Sequence, residues 1–144
     1  MHDTSGVHVW LVLMKAYHAL AGRAEQSLNL SETGLGDSDF RVLEALLSKG
    51  PLPVNTIGPK VWLTPGSISV AVDRLEKKKL VKRRTTDDRR VRLVALTAKG
   101  RELVAKTFEK HAASMEKATS LSKEERLKLL ELLKKFGKGA AHRS

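Results

Sequence analysis

The residues of this chain with the strongest chemical character are basic and lie in one short segment. Between residues 74 and 92, ten side chains are basic and three are acidic, a difference of +7 within a net charge of +11 for all 144 residues. The basic ones are Arg74, Lys77, Lys78, Lys79, Lys82, Arg83, Arg84, Arg89, Arg90 and Arg92. A solvated surface normally mixes both signs, so this cluster predicts a polyanionic partner. DNA is the first candidate and an anionic membrane surface the second.

Other kinds of chemistry find little support in the sequence. The absence of cysteine excludes disulfides, thiolate metal sites, cysteine nucleophiles and thiol redox switches. His8, His18 and His111 do not share a helix face with a carboxylate at the spacing that a metal site needs. A glycine-rich phosphate loop, a serine hydrolase elbow and paired carboxylates in an apolar setting are also missing. We therefore expect neither an enzyme nor a bound cofactor or metal.

The apolar runs are too short for a bilayer. The longest strong one, Val9 to Met14, ends at Lys15, whereas a spanning helix needs roughly 18 to 20 residues. The first residues also lack the basic start of a secretory signal. A role at a membrane surface would need a basic amphipathic helix, but the cluster straddles a predicted hairpin. We expect a cytoplasmic protein with no membrane partner.

Two predicted elements position the basic cluster. A helix begins after Thr64, which can cap it, with Pro65 in its first position. Its buried stripe is Ile68, Val72 and Leu75, which leaves small residues such as Gly66, Ser67 and Ser69 free to approach base edges. After residue 80 the apolar period changes to two, and Val81–Arg83 and Val91–Leu96 fit strands around a polar turn at 85–90. The cluster thus spans the end of a helix and a β-hairpin.

The rest of the chain is predicted to be helical. Helices are expected over 7–30 and 38–48, and the stretch between 51 and 63 can hold about two helical turns with an interior Pro59. A further helix follows the cap Thr97. The last helix runs from the capping box at Ser122 to Gly137 and is followed by a frayed tail. This order makes the fold mainly α with a small β-hairpin wing, a winged helix-turn-helix whose second helix fits the major groove. The long terminal helices have wide apolar faces, which a second copy of the chain would cover.

Four groups of residues resemble the MarR family of bacterial transcription regulators. They are Thr64-Pro65-Gly66-Ser67-Ile68-Ser69, Asp73-Arg74-Leu75-Glu76, Leu80-Val81-Lys82-Arg83, and Asp88-Arg89-Arg90 with Val94-Ala95-Leu96-Thr97 and Gly100. The similarity covers the central half of the chain in detail, and the flanking helices match in order and length. Two departures are Lys79, where many relatives have glycine, so that the helix either runs on or ends on a non-glycine cap, and the interior Pro59.

The resemblance implies a homodimeric repressor that places two recognition helices on a pseudo-palindromic operator. It divides the chain into an N-terminal dimerisation helix (1–36), a DNA-binding lobe (37–97) and C-terminal dimerisation helices with a tail (98–144). Asp88 would brace the wing by pairing with an arginine; the alternative, which can hold at the same time, is that it caps a tight turn. Arg90 is the preferred minor-groove residue at the wing tip. The full set of predicted DNA-binding residues is Thr64, Pro65, Gly66, Ser67, Ser69, Val70, Arg74, Lys82, Arg84, Arg89 and Arg90.

The resemblance also implies a small aromatic or phenolic effector that binds between the lobe and the dimerisation helices and releases DNA. Without cysteine, such induction would be reversible binding. The candidate ligand-binding residues are His8, Trp10, Tyr17, His18, Phe40 and Trp62. For Trp10, Phe40 and Trp62 the alternative is core packing. The alternative function is a ligand-independent or architectural DNA-binding protein.

Overall fold

A computed structural model describes residues 3–28 and 33–141 of the chain. In chain order the elements are α1 (Gly6–Leu28), α2 (Asp37–Lys49), β1 (Leu52–Pro53), α3 (Val54–Lys60), α4 (Pro65–Lys77), β2 (Val81–Thr85), β3 (Arg92–Leu96), α5 (Ala98–Thr119) and α6 (Lys123–Ala141). The predicted class, mainly α with a small hairpin wing, is confirmed. Among the described residues, no helix has the length and apolar character to cross a membrane.

The strands form one antiparallel sheet in the order β1-β3-β2. The predicted hairpin is β2 with β3, in a register that sets Val81 opposite Leu96 and Thr85 opposite Arg92. We call this hairpin the wing. The sequence analysis did not predict β1, in which Leu52 pairs with Val94. A strand of two residues is too short to show a period, and Pro53 is tolerated because β1 lies at the sheet edge.

The helix-turn-helix consists of α3, the turn at residues 61–64, and α4. α3 has seven residues, which confirms the prediction of about two helical turns. Pro59 lies one residue before its end, so the backbone hydrogen bond that proline removes is lost only in the last turn. The helix therefore tolerates Pro59 and ends directly after it.

Predicted N-caps begin three of the helices. The Thr64 hydroxyl accepts from the Ser67 N–H at 3.1 Å, and the Thr97 hydroxyl accepts from the Gly100 N–H at 3.0 Å. At α6, Ser122 and Glu125 accept from each other's backbone N–H at 3.1 and 3.0 Å. These contacts confirm the sequence-based helix starts, including the capping box.

Two predicted helix ends differ from the structure or lie outside it. α6 continues to Ala141, so the prediction that it stops at Gly137 was wrong. A Cβ at Gly137 would meet nothing within 4 Å, and an exposed glycine costs a helix only about 1 kcal/mol, which is too little to end it. The predicted end of the first helix at residue 30 lies outside the described residues, as do residues 142–144 of the tail.

The hydrophobic core lies beneath α4 and joins α2, α3, the sheet and α5. Its members are buried almost completely and include Val42, Leu43, Leu46, Ile57, Ile68, Val72, Leu75, Leu80, Val81, Val94 and Val104. α1 packs along α5, where the Ser27 hydroxyl is hydrogen-bonded to Nδ1 of His111. The core thus supports α4 and the wing. The division of the chain into dimerisation helices and a DNA-binding lobe, with boundaries after residues 36 and 97, stays a prediction.

Candidate nucleic-acid interface

α4 has one buried face and one open face. Ile68, Ala71, Val72 and Leu75 recur at three- and four-residue steps and are buried against the core. The other side presents the predicted contacts, all of them exposed: Thr64, Pro65, Gly66, Ser67, Ser69 and Val70. Several of these residues come together in a surface groove of about 520 Å³, lined by Ser38, Leu63, Thr64, Gly66, Ser67, Val70 and Arg74. Small polar side chains on an open helix face are suited to close approach to base edges.

Arg74 is tied to the helix beneath it. Its Nε donates to the Asp39 Oδ1 at 3.0 Å, and its Nη2 donates to the same oxygen at 2.5 Å. Asp39 lies in the first turn of α2 and is 3% exposed, whereas the Arg74 side chain is 41% exposed. The hydrogen bond to Asp39 raises the pKa of Arg74, so its guanidinium stays charged. Whatever its contact with DNA, Arg74 fixes α4 on α2.

The end of α4 explains the departure at Lys79. Lys79 has φ +61°, the left-handed conformation that usually favours glycine. The Leu80 N–H donates to the Leu75 carbonyl at 3.0 Å, and the Lys79 N–H donates to the Glu76 carbonyl at 2.9 Å. This pair of hydrogen bonds is the Schellman motif. Of the two alternatives from the sequence, the helix therefore takes the non-glycine cap and does not run on.

The wing presents its basic side chains on one side of β2 and at its tip. Lys82 and Arg84 are exposed, as are Arg89 and Arg90 in the turn. Arg83 points the other way, as strand alternation requires, and is half-buried. Its Nη2 lies 2.7 Å from the Asp73 Oδ1, and its Nη1 lies 2.8 Å from the Glu76 Oε1.

These ion pairs join the wing to α4. Hydrogen bonding to Asp73, with the nearby Glu76 carboxylate, raises the pKa of Arg83. Arg83 was predicted as part of the positive cluster and of the first wing strand, but its pairing with α4 was not predicted. The alternation of side chains along β2 was the signal that could have separated it from Lys82 and Arg84.

Asp88 has a different role from the predicted brace. Its Oδ1 accepts from the Arg90 N–H at 3.0 Å, and its carbonyl accepts from the Val91 N–H at 2.9 Å. Within the part of the chain that the structure describes, Asp88 forms no ion pair with an arginine. The carboxylate is engaged by the backbone two residues ahead, so the turn-capping alternative applies and Arg83 is the side chain that braces the wing.

The remaining charge forms an open positive surface. Of the ten basic side chains between 74 and 92, only Arg74 and Arg83 pair with carboxylates among residues 3–28 and 33–141. The Nζ of Lys78 donates to the Gly34 carbonyl at 2.5 Å, which joins the end of α4 to the loop before α2. The other cations surround the end of α4 and the wing. This arrangement favours contact with phosphates.

The six predicted ligand residues do not meet at one place in the described chain. Phe40 is 5% exposed, lies 6.5 Å from the Phe108 ring and meets the His111 ring edge-on at 4.9 Å. Phe40 therefore packs in the core. His111 beside it is half-buried, and this burial lowers the pKa of His111. Four candidates are exposed along α1, namely His8, Trp10, Tyr17 and His18.

Trp62 lies apart from both groups. It belongs to the turn between α3 and α4 and is 86% exposed, so the core-packing alternative does not hold for it. The ligand site was predicted at the junction between the lobe and the terminal helices, and the turn that contains Trp62 lies inside the lobe instead. Over the described residues, no group of three or more His, Cys, Asp or Glu side chains is placed to hold a metal ion.

Comparison with known proteins agrees with this geometry. The MarR family pattern matches residues 33–91. MhqR, an HTH-type transcriptional regulator of Bacillus subtilis (strain 168), is 36% identical over 134 residues, which are 92% of this chain and 91% of MhqR. The crystal structure of Sco3205, a MarR family regulator of Streptomyces coelicolor in complex with DNA, has the same fold, with a TM-score of 0.81 at 23% identity over 96% of this chain and 89% of that one.

A second solved structure is that of BpsR of Bordetella bronchiseptica, whose DNA binding is regulated by 6-hydroxynicotinic acid. Its TM-score is 0.80 at 26% identity, over 90% of this chain and 98% of BpsR. Four observations indicate the same family: the fold, the exposed face of α4, the basic wing, and the similarity to MhqR along nearly the whole chain. The chain belongs to the MarR family of winged helix-turn-helix transcriptional regulators, which are DNA-binding proteins and not enzymes.

Proposed function

We propose that this regulator is a homodimeric repressor that binds a pseudo-palindromic operator and is released by a small aromatic or phenolic ligand. The observation that carries the proposal is the link through Arg83. By pairing with Asp73 and Glu76, it holds the wing against α4. The open helix face and the basic hairpin are therefore presented by one rigid lobe.

In this proposal α4 reads base edges and the wing contacts the backbone and minor groove. Ser67 and Ser69 are exposed and can each donate or accept a hydrogen bond, while Gly66 lets the helix come close to the bases. Arg90 at the wing tip enters the minor groove, whose negative potential attracts arginine. Lys82 and Arg84 neutralise phosphates, so binding weakens as salt rises.

The apolar surface of the terminal helices supports a dimer. Where burial is described along α6, no residue is buried, and the exposed large apolar side chains are Leu127, Leu129, Leu130, Leu132, Leu133 and Phe136. α1 exposes Val7, Val9, Trp10, Leu11, Val12, Met14 and Tyr17. Apolar patches of this size are uncommon on monomers and mark interaction surfaces. A two-fold dimer through these helices would cover both and would present two copies of α4 to a pseudo-palindromic site.

The ligand part of the proposal rests on α1 and on BpsR. The DNA binding of BpsR is regulated by 6-hydroxynicotinic acid, which is an aromatic acid. In this chain, His8, Trp10, Tyr17 and His18 offer imidazole groups and aromatic rings that are exposed on different sides of α1. A dimer partner packed against α1 would enclose part of this set, and the imidazoles could then donate to a phenolate.

The proposal is tested in two steps. Bound fragments are first selected from genomic DNA, and aromatic acids and phenols are then added to complexes of the protein with the recovered site. We expect one pseudo-palindromic sequence and release by at least one compound. In the His8→Ala/His18→Ala double variant, release should weaken while DNA affinity is retained. Recovery of fragments without a common sequence would favour an architectural protein, and a specific site from which no compound releases the protein would favour a ligand-independent regulator.

The dimer is tested by Leu130→Asp, with Lys128→Asp as the matched control on the same helix. Leu130 is 52% exposed in the single chain. We expect the leucine variant to sediment as a monomer and to lose tight operator binding, because a buried carboxylate would disrupt the apolar interface. The control should remain dimeric. A monomeric Leu130→Asp with full affinity would contradict the proposed dimer.

A further inference from the structure

Trp62 is an anomaly in the turn between α3 and α4. Its side chain is 86% exposed, although both neighbours contribute to the core: Val61 is 5% exposed, and Leu63 is half-buried against it. Its φ is +60°, the left-handed conformation that is unfavourable for a bulky side chain. A residue that buries almost nothing and strains the backbone contributes nothing evident to the stability of this lobe.

The surrounding structure holds this strained turn in place. The Gly58 carbonyl accepts from the N–H groups of Val61 and Leu63 at 3.2 and 2.9 Å. The Val61 carbonyl accepts from the Arg41 Nη1 at 2.5 Å, and the Arg41 Nε lies 3.0 Å from the Asp37 carboxylate. Backbone strain that is maintained by such contacts is concentrated at functional sites.

The position of Trp62 points to its partner. Two residues later, Thr64 caps α4, and two residues earlier the exposed Lys60 ends α3. In a helix-turn-helix, the start of the recognition helix reaches base edges while the preceding helix crosses the DNA backbone. In that docking geometry, the turn between the two helices would lie beside a DNA strand at the edge of the major groove, next to a lysine suited to phosphate.

We infer that Trp62 is a DNA contact, an inference that rests on the DNA-binding mode of the proposed function. The indole packs its apolar face against a deoxyribose and donates its Nε1–H to a phosphate oxygen. Because sugars and phosphates are the same at every base pair, this contact adds affinity without sequence preference. Because the indole carries no charge, it also adds nothing to the salt dependence.

Affinity measurements on variants test these points. We expect Trp62→Ala to weaken binding about tenfold for both the chain's own upstream DNA and a scrambled duplex. Trp62→Phe should lie in between, because it keeps an aromatic face for the sugar and loses the N–H. The slope of log affinity against log salt should stay that of the wild type for Trp62→Ala, whereas Lys82→Ala should reduce it by about one. Unchanged affinity of Trp62→Ala on both duplexes would overturn the inference.

Fluorescence gives an independent readout because the chain has only two tryptophans. In Trp10→Phe the emission reports Trp62 alone, and in Trp62→Phe it reports Trp10. We expect bound DNA to quench the emission of Trp62 and to leave that of Trp10 unchanged. A complex detected by anisotropy of labelled DNA, with no change at Trp62, would refute this contact and leave the proposed function standing. No complex with any DNA would refute both.

Trp62→Gly separates a binding role from a structural one. Glycine relieves the strain at φ +60° and removes no buried contact, so Tm should not fall below that of the wild type. DNA affinity should fall as for Trp62→Ala. A Tm several degrees lower would show that the indole supports the fold, and it would overturn the inference.

Discussion

Arg74 of α4 and Asp39 of α2 form the pair that seats the recognition helix on the lobe. The guanidinium donates to the Asp39 carboxylate through Nε and Nη2, across 35 positions of sequence. Asp39 is 3% exposed, so it depends on this one arginine for its compensating charge. The orientation of α4 on the lobe is therefore set by a contact beside its exposed face, because Arg74 also lines the groove with Ser67 and Val70.

Removal of Arg74 should destabilise the fold. We expect Arg74→Ala to lower the free energy of unfolding by about 2 kcal/mol, because Asp39 is left buried and unpaired. This loss is smaller than that for breaking a fully buried pair, because the Arg74 side chain is partly exposed. Arg74→Lys should cost less, since it keeps the charge and loses the two-point geometry. Urea unfolding measures both. Arg84→Ala, on an exposed side chain of β2, serves as the control and should stay within about 0.5 kcal/mol of the wild type.

Two glycines should respond in opposite ways to alanine. A Cβ at Gly100 would lie 1.9 Å from the Leu80 carbonyl oxygen, whereas a Cβ at Gly66 would meet nothing within 4 Å. Since the Leu80 carbonyl also accepts from the Thr97 N–H at 3.0 Å, it has little room to move. We expect Gly100→Ala to lower the free energy of unfolding by at least about 3 kcal/mol.

Gly66→Ala, by contrast, should leave stability unchanged or slightly raised and should weaken DNA binding by blocking close approach. Thermal unfolding and DNA titration of the two variants check these outcomes. A well-folded Gly100→Ala protein would mean that the contact between Leu80 and α5 is looser than the structure has it. A Gly66→Ala variant with full DNA affinity would remove Gly66 from the contact surface.

The left-handed residue at the end of α4 offers a stabilising substitution. Lys79 has φ +61°, so Lys79→Gly should raise the free energy of unfolding by about 1 kcal/mol. Lys77→Gly, two residues earlier and still helical, should lower it by a similar amount. Urea midpoints of the two variants provide the comparison. A destabilised Lys79→Gly would be inconsistent with the Schellman end described above.

Separate roles are expected for two arginines of the wing. Arg90→Ala removes an exposed charge at the tip, and it should weaken operator binding about tenfold without changing Tm or the dimer. Arg83→Ala breaks the pairs with Asp73 and Glu76, which are partly exposed, and should cost about 1 kcal/mol of stability. DNA titration and urea unfolding of both variants distinguish the roles. Equal loss of affinity with no loss of stability in Arg83→Ala would contradict its bracing role.

Local signals in the sequence were enough to predict α4 and the wing. Thr64 and Pro65 mark a helix start by their own chemistry, and the change of period after Leu80 marks strands. β1 was missed because Leu52 pairs with Val94, forty-two positions away, and two residues carry no period. The extension of α6 was missed because glycine was taken as a stop, although Gly137 has open space around it and stays helical.

Contacts between elements were the part of the site that sequence reasoning could not supply. Asp39 and Arg74 lie on different helices, and nothing at either position distinguishes the pair from two solvated charges. Asp88 was correctly given a turn-capping alternative, because that contact spans only two residues. Trp62 was grouped with the ligand candidates by residue type and by an expected proximity to the junction of the lobe and the terminal helices. Its place in the turn between α3 and α4 and its backbone angle separate it from the exposed candidates on α1.

The central claim is that the exposed face of α4 and the wing read a specific DNA sequence. The most direct test is the affinity of the wild-type protein for its own upstream region against a scrambled duplex of the same composition, at fixed salt. The account predicts a preference of about a thousandfold or more, with two chains bound per site. Equal affinity for the two duplexes would contradict it.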